Sequence, residues 1–330
     1  MTSEFEYTGW TVVASSKELK KKPLRVFYLE VPVVLFRGEN HLWALKDQCP
    51  HRGVPLSMGQ VCNDSIICPY HGWKFNGDGE QLDMPGNPCF SRSRRAIVQP
   101  YEVVEEAGLI WLRLNNSCVD HRYIPQIHSS YLFFTVSSSI KADIVDIAEN
   151  FLDALHTHFI HSGVIRSGKK RRHNCAVTIS NVEDGYQTTY IEEKQQSGII
   201  TRLFGRYILK SVGRIRYPGI IEIEYYSSKG IELSTVIYIN KEQGEKCKLI
   251  MRSYLKKRKI PFFIQGLILY SFQYLAFMQD KRILEELYKS QKQDLLYKPI
   301  ITQCDVMRPY IEKALRNEVF DVRVQQDLML

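Results

Sequence analysis

The 330-residue sequence shows no cysteine framework, no internal repeat, no heptad run and no low-complexity tract. Each absence removes a class of protein. Of the eight cysteines, Cys62, Cys89, Cys118, Cys175, Cys247 and Cys304 are scattered singly, without the spacing of a small disulfide-stapled scaffold. Nothing like a signal peptide precedes Trp10, so the expected setting is cytoplasmic, with free thiols. Cys62 and Cys89 are expected to be small buried apolar residues rather than a second metal pair. An uninterrupted membrane span is also missing. The most apolar window, residues 260–278, is broken by Pro261, Gln265, Gly266, Ser271 and Gln273. A buried helix is the first reading of that window, interfacial association with a membrane the second, and a spanning helix is disfavoured. The net charge of +8 is spread over basic runs at 20–22, 92–95, 166–172 and 256–259. No aromatic platform or nucleic-acid module accompanies them, so nucleic acid is not an expected partner. Solvated faces are the default reading for these runs. The sharper one is that residues 92–95 dock an acidic protein partner by electrostatic steering.

What is present begins with two clusters, Cys49-Pro50-His51 and Cys68-Pro69-Tyr70-His71, whose first residues lie nineteen positions apart. A Cys₂His₂ zinc site would usually pair Cys with Cys and His with His. Here each loop supplies one of each, which suits a Rieske [2Fe–2S] cluster with two thiolates on one iron and two imidazoles on the other. Structural zinc is the alternative. Segments 49–59 and 68–80 resemble the Rieske domain of ring-hydroxylating oxygenases.

A Rieske carrier alone would occupy about one small domain, and this chain is long enough for two. The pattern over 142–159, with Ile144, Ala148, Phe151, Leu155 and Phe159 at three- and four-residue spacings, predicts a helix. Asn150, Asp153 and His156 lie three apart on another face. His161 sits about 140° round an ideal helix from His156, so the two share a metal only if the helix ends or loosens between them. Ser162-Gly163 offers a stop. A polar helix end is the plain alternative. Further on, Phe263, Leu267, Tyr270, Tyr274, Phe277, Leu284 and Leu287 predict a second helix, and Asp280 falls on that apolar stripe. A carboxylate there needs a cation or strong donors. Pairing with Arg282 or Arg252 is one solution and a metal is another.

The spacing D-x-x-H-x-x-x-x-H at 153–161 and the segment Gln279 to Glu285 resemble the iron motifs of Rieske non-haem oxygenases of the single-subunit branch. That resemblance implies Fe(II) held by His156, His161 and Asp280, with a Rieske cluster on Cys49, His51, Cys68 and His71. It further implies that Asp153 bridges the two centres across a subunit interface in a head-to-tail homotrimer. The implied activity is O₂-dependent hydroxylation or oxidative demethylation of a small hydrophobic or aromatic substrate, with electrons supplied by a reductase. An electron carrier or ligand-binding protein with an inactive C-terminal domain is the alternative.

The expected fold is α+β. An all-β Rieske domain at 1–118 precedes a helix-grip-like catalytic domain at 119–330, an antiparallel sheet flanked by helices. Strands are expected at 26–30, 32–37, 42–46 and 108–114, then at 176–182, 186–192, 219–226, 233–240 and 248–254. Leu203, Phe204, Tyr207, Ile208 and Tyr225 are candidate pocket walls. Residues 318–330 are expected to be an ordinary tail.

Overall fold

A computed structural model describes residues 9–92, 94–114, 122–125, 131–162, 174–193, 210–257, 261–294 and 296–329. The chain divides into two compact units, residues 1–124 with 240–244 and residues 125–239 with 245–330. The expected boundary at 118/119 lies outside the described residues.

The first unit is all β, in three small antiparallel sheets. Strands β1 (Thr11–Ser15), β10 (Leu109–Leu114) and β9 (Tyr101–Glu106) form one, in that order. Strands β2 (Leu24–Tyr28), β3 (Val31–Arg37) and β4 (Leu42–Lys46) form a meander. The short strands β5 (Gln60–Cys62), β6 (Ser65–Ile67), β7 (Lys74–Asn76) and β8 (Gln81–Asp83) form the third. β3 carries Val33, Val34, Leu35 and Phe36, all fully buried, and so serves two cores at once. Successive side chains of a strand point to opposite faces, so Val33 and Leu35 fill one core while Val34 and Phe36 fill the other. The second of these cores contains Cys49 and Cys68.

The second unit is built on one eight-stranded antiparallel sheet in the order β11-β17-β16-β15-β14-β13-β12-β18. The strands are β11 (Tyr131–Lys141), β12 (Asn174–Val182), β13 (Gly185–Glu192), β14 (Lys210–Arg216), β15 (Ile220–Ser227), β16 (Gly230–Glu242), β17 (Lys246–Lys256) and β18 (Arg323–Met329). Among the described residues three helices accompany them: α1 (Ile144–Leu152), α2 (Phe262–Gln293) and α3 (Arg308–Leu315). Ile147, Ala148 and Leu152 of α1, Phe277 and Leu284 of α2, and Ile311 and Leu315 of α3 share one core with Ile215, Ile221, Ile237 and Leu249 of the sheet. The α+β class is therefore observed.

Four sequence expectations need correction. The helix expected over 142–159 stops at Leu152, and Phe159 is exposed. Only the C-terminal part of the apolar stripe expected to bury α2 faces inward, at Phe277, Asp280 and Leu284. Phe263 and Leu267 are 65% and 67% exposed, and Tyr270 and Tyr274 are also exposed. The buried face runs through Gln265, Leu269, Ala276, Phe277, Asp280, Leu284 and Tyr288. Residues 323–329 are not a tail but the edge strand β18, in register with β12 from Ser180↔Arg323 to Asn174↔Met329. Cys62 and Cys89 are exposed rather than buried. Among the described residues no helix is long and apolar enough to cross a membrane.

Candidate metal centres

The two cysteine loops of the first unit have the same backbone plan. In each, the Cys amide donates to the carbonyl five residues on, Cys49 to Val54 at 2.9 Å and Cys68 to Trp73 at 2.8 Å. In each, the Gly amide returns to the Cys carbonyl, Gly53 to Cys49 at 2.8 Å and Gly72 to Cys68 at 3.1 Å. Closing such a loop requires positive φ at the glycine, +77° at Gly53 and +72° at Gly72, where a side chain would be strained. Asp47, buried beside the first loop, accepts from the Ser57 amide and hydroxyl at 2.7 Å each and fixes the chain that follows.

This plan buries the two sulfurs and leaves the imidazoles outside. Cys49 and Cys68 are buried; His51 and His71 are exposed, with ring centroids 4.6 Å apart. His51 stacks on Trp73 with an interplanar angle of 4°. Burial pushes the Cys49 thiol up to about 11, and the adjacent Cys68 pushes the same way, against the backbone N–H groups of His51 and Arg52. Two buried thiols become thiolates only with a compensating cation, so the donor set fits a metal cluster. Loss of hydration, with His51 and Arg52 nearby, holds the His71 imidazole below its ordinary value, favouring the neutral ring that a ligand must be. The structure thus brings Cys49, His51, Cys68 and His71 together, sulfurs inward and imidazoles outward.

In the second unit, Asp143 caps α1 by accepting from the Val145 amide at 2.8 Å. At its other end the chain leaves the helix at Asp153, whose backbone is extended. The Asp153 carboxylate accepts the amides of Leu155 at 2.7 Å and His156 at 2.9 Å, starting a 3₁₀ turn at His156–His158. The Ile160 amide then returns to the His156 carbonyl at 2.9 Å. The change from α-helix to tighter turn brings His156 and His161 to 5.3 Å between ring centroids, at 77°. The loosening that shared ligation demanded occurs at Asp153, earlier than the stop offered by Ser162-Gly163. His158 takes no part in the group.

Asp280 arrives from the buried face of α2. Its Oδ1 lies 3.0 Å from His161 Nε2 and 3.8 Å from His156 Nε2. One ligand atom from each of His156, His161 and Asp280 falls within 4.8 Å of the others. Both imidazoles present Nε2 to the common space and Nδ1 outward. His161 Nδ1 meets Gln279 Oε1 at 3.0 Å, and His156 Nδ1 faces Asp153 Oδ2 at 3.5 Å. With Gln279 accepting, the His161 proton sits on Nδ1 and Nε2 keeps its lone pair for a metal. Among the described residues no hydrogen bond satisfies the buried Asp280 Oδ1, which a cation would do. Two imidazoles and one carboxylate on one side suit a non-haem Fe(II) with open positions. Of the arginines considered for Asp280, Arg282 is exposed and Arg252 donates to Thr135 Oγ1 at 3.2 Å.

Charge shifts follow this geometry. Burial opposes ionisation of Asp153, but hydrogen bonds from His156 and the two turn amides outweigh it, holding the carboxyl below the usual range. Burial lowers the His161 imidazole, while Asp280 and Gln279 raise it further, so its ordinary value is exceeded.

A cavity of about 150 Å³ opens beside these three side chains, walled by Phe151, Ile223, Met251, Leu269, Phe272 and Phe277. Tyr225 lines it as expected; Leu203, Phe204, Tyr207 and Ile208 lie outside the described residues. No Lys or Arg is among the described lining residues. Polar lining side chains outside the His/His/Asp group include Thr157, Tyr190, Ser211, Thr235 and Gln273. Thr235 Oγ1 lies 2.7 Å from Ser253 Oγ, which accepts from Gln273 Nε2 at 2.5 Å. Sequence reading assigned no role to Gln279 or to Gly213. Gly213, in β14 behind the α1 terminus, could have been flagged as a glycine inside a strand. A Cβ there would come within 2.8 Å of Leu152 Cδ2.

Residues 9–102 match the Rieske [2Fe-2S] domain. Curated relatives include methylxanthine N1-demethylase NdmA of Pseudomonas putida, 31% identical over 166 residues, 47% of this chain and 47% of that protein. The 4beta-methylsterol monooxygenase of Methylococcus capsulatus is 35% identical over 161 residues, 45% of this chain and 43% of the relative. The vanillate O-demethylase oxygenase subunit of a Pseudomonas species is 28% identical over 220 residues, covering 63% and 58%. The matches to these three span about half the length of each relative. The fold extends further. The structure of Pseudomonas putida CBB5 NdmA with caffeine superposes with a TM-score of 0.77 at 21% identity, covering 97% of this chain and 96% of that one. Dicamba monooxygenase bound to dicamba gives 0.76 at 20% identity, covering 94% and 96%. The chain therefore carries a Rieske [2Fe–2S] domain and has the two-part fold of these oxygenase components.

Proposed function

We propose that this chain is the terminal oxygenase component of a Rieske non-haem iron system, acting on a small, uncharged, largely apolar or aromatic substrate. The observation that carries the reading is the convergence of His156 Nε2, His161 Nε2 and Asp280 Oδ1 at one end of an apolar cavity. Cys49, His51, Cys68 and His71 would hold a [2Fe–2S] cluster, and His156, His161 and Asp280 would hold Fe(II). When bound, these groups supply one-electron transfer and O₂ activation.

The protein's own part is positional. Gln279 sets the ring orientation and proton position of His161, and Asp153 shapes the turn that aims His156. Exposed edges of His51 and His71 give electrons a way out of the first unit that the buried sulfurs do not. The aromatic and aliphatic walls select an apolar substrate and keep water from the reacting atoms. With no cation among the described walls, a carboxylate substrate would lack a counter-charge, so neutral molecules with a carbonyl or hydroxyl fit best. Thr235 and Gln273, which line the cavity, offer that group its hydrogen bonds.

The supporting relatives are named for N-demethylation, sterol oxidation and O-demethylation. Hydroxylation and oxidative demethylation begin with the same oxidation of a C–H bond, and both are within this reading. Partners are a ferredoxin or flavin reductase, for which Arg92, Arg94 and Arg95 provide a basic face. Arg92 is also paired to Glu80 at 3.3 Å. The assembly we propose is a homotrimer in which Asp153 of one chain meets the cluster of the next. The domain division is 1–118 for the cluster and 119–330 for the mononuclear site.

The test is O₂ uptake by the purified protein with a surrogate reductase, over a panel of neutral aromatic and sterol-like compounds and their carboxylated analogues. Stimulation by neutral members, lost in Asp153→Ala although both metals remain, is expected. Uptake stimulated by the carboxylated set alone would overturn the substrate reading. Full turnover in Asp153→Ala would overturn the bridging role.

A further inference from the structure

The first half of α2 presents apolar residues on both sides. Its inner face lines the cavity and core, yet Phe263, Ile264, Leu267, Tyr270, Tyr274, Leu275 and Met278 are all exposed. At 100° per residue these seven fall within an arc of about 140°, opposite the buried Gln265, Leu269 and Ala276. Residues 262–279 contain no charged side chain, whereas 280–293 of the same helix contain seven. Single exposed apolar residues are ordinary, but a stripe about 24 Å long is not.

We propose that this outward face of α2 docks on the surface of a lipid bilayer that carries anionic headgroups. Three observations favour lipid over a protein partner. The arc is broader than the narrow seam by which one helix packs along another, and it suits a plane. No acidic residue occurs from Lys256 to Gln279, and the chain enters the helix through Lys256 and the exposed Lys257, positive charges at one end of the stripe. Tyr270 and Tyr274, with rings stacked at 13°, are amphipathic and suit the boundary between headgroups and acyl chains. The helix does not meet the requirements of a span, so the contact is one of lying on the surface. This inference goes beyond the oxygenase reading and does not depend on it.

The test is cosedimentation of the intact metal-loaded protein with vesicles of phosphatidylcholine alone or with phosphatidylserine, at about 0.1 M and about 0.5 M NaCl. Wild type should pellet with the anionic vesicles and bind about tenfold more weakly at the higher salt. The variant Leu267→Glu/Tyr274→Glu should lose binding by about tenfold or more while keeping its melting temperature and Rieske spectrum. Both side chains point away from the cavity, so folding is not at stake. Absence of wild-type pelleting, or equal pelleting by the variant, would overturn the proposal. So would a wild-type sedimentation mass that falls in the variant while neither binds lipid, since the face would then be covered by a second copy of this chain.

Discussion

At the scale of single residues, the mononuclear site depends on groups that touch no metal. Gln279 fixes the His161 ring through Nδ1, and removing such a support typically costs 10- to 100-fold in metal affinity (about that range). Gln279→Leu is therefore expected to weaken Fe(II) retention at the His156–His161–Asp280 site by about that factor, measured by competition with a chelator, while sulfide content stays constant. Asp153 has a second role in stability. Its carboxyl is held below the ordinary range in the folded chain. The stability it contributes is present above the ordinary carboxylate value and is lost as pH falls through the lowered value. Asp153→Asn should flatten this acid limb in a plot of melting temperature against pH. An unchanged limb would place the stabilisation elsewhere. The convergence of Cys49, His51, Cys68 and His71 was legible from sequence because each loop is local, and the turn residues around each Cys leave little choice of backbone. Asp280 was legible only as a carboxylate on an apolar stripe, and Gln279 not at all, because a neutral amide beside a ligand carries no distinctive pattern.

At the scale of elements, β14 and β15 carry a charged ladder. Arg214 faces Glu222 across the pair and lies 2.7 Å from both Glu222 and Glu224, all three largely buried. Glu224 also accepts from the Tyr226 hydroxyl, whose own ionisation is pushed up to about 12 by burial and that carboxylate. Removing one partner of such a group strands the other charges, at a cost of about 3–5 kcal/mol. Arg214→Met is expected to lose stability of that order, tempered by Arg216 at 4.0 Å from Glu222. Denaturant melts of wild type and variant would show the loss, and equal midpoints would contradict it. Element-level reading worked where one face alone is apolar. Leu42–Lys46 and β12, β13, β15, β16 and β17 of the large sheet were visible as β-rich runs, whereas β11 and β14 were not read as strands. It failed at α2, where two apolar faces share one helix and periodicity cannot say which is inward. β18 was missed because Arg323, Gln325 and Asp327 alternate with only Val324, Gln326 and Leu328, a weak signal typical of an edge strand. The helix over 142–159 was read too long because apolar spacing continues past Leu152. The competing hydrogen bonds from the Asp153 side chain end it there.

At the scale of the whole molecule, two donor sets of different softness occupy separate compact units. One has two buried thiols with two exposed imidazoles; the other has two imidazoles with one buried carboxylate. The central claim is that both sets are filled and distinct. It is tested most directly by iron and acid-labile sulfide counts per chain on anaerobically purified protein, with an EPR spectrum of the reduced form, for wild type and His161→Ala. Three irons, two sulfides and a Rieske signal are expected in wild type, and two irons with sulfide and signal unchanged in His161→Ala. Two irons in wild type that added Fe(II) cannot raise to three would contradict the claim and leave the chain an electron carrier with an unfilled second site.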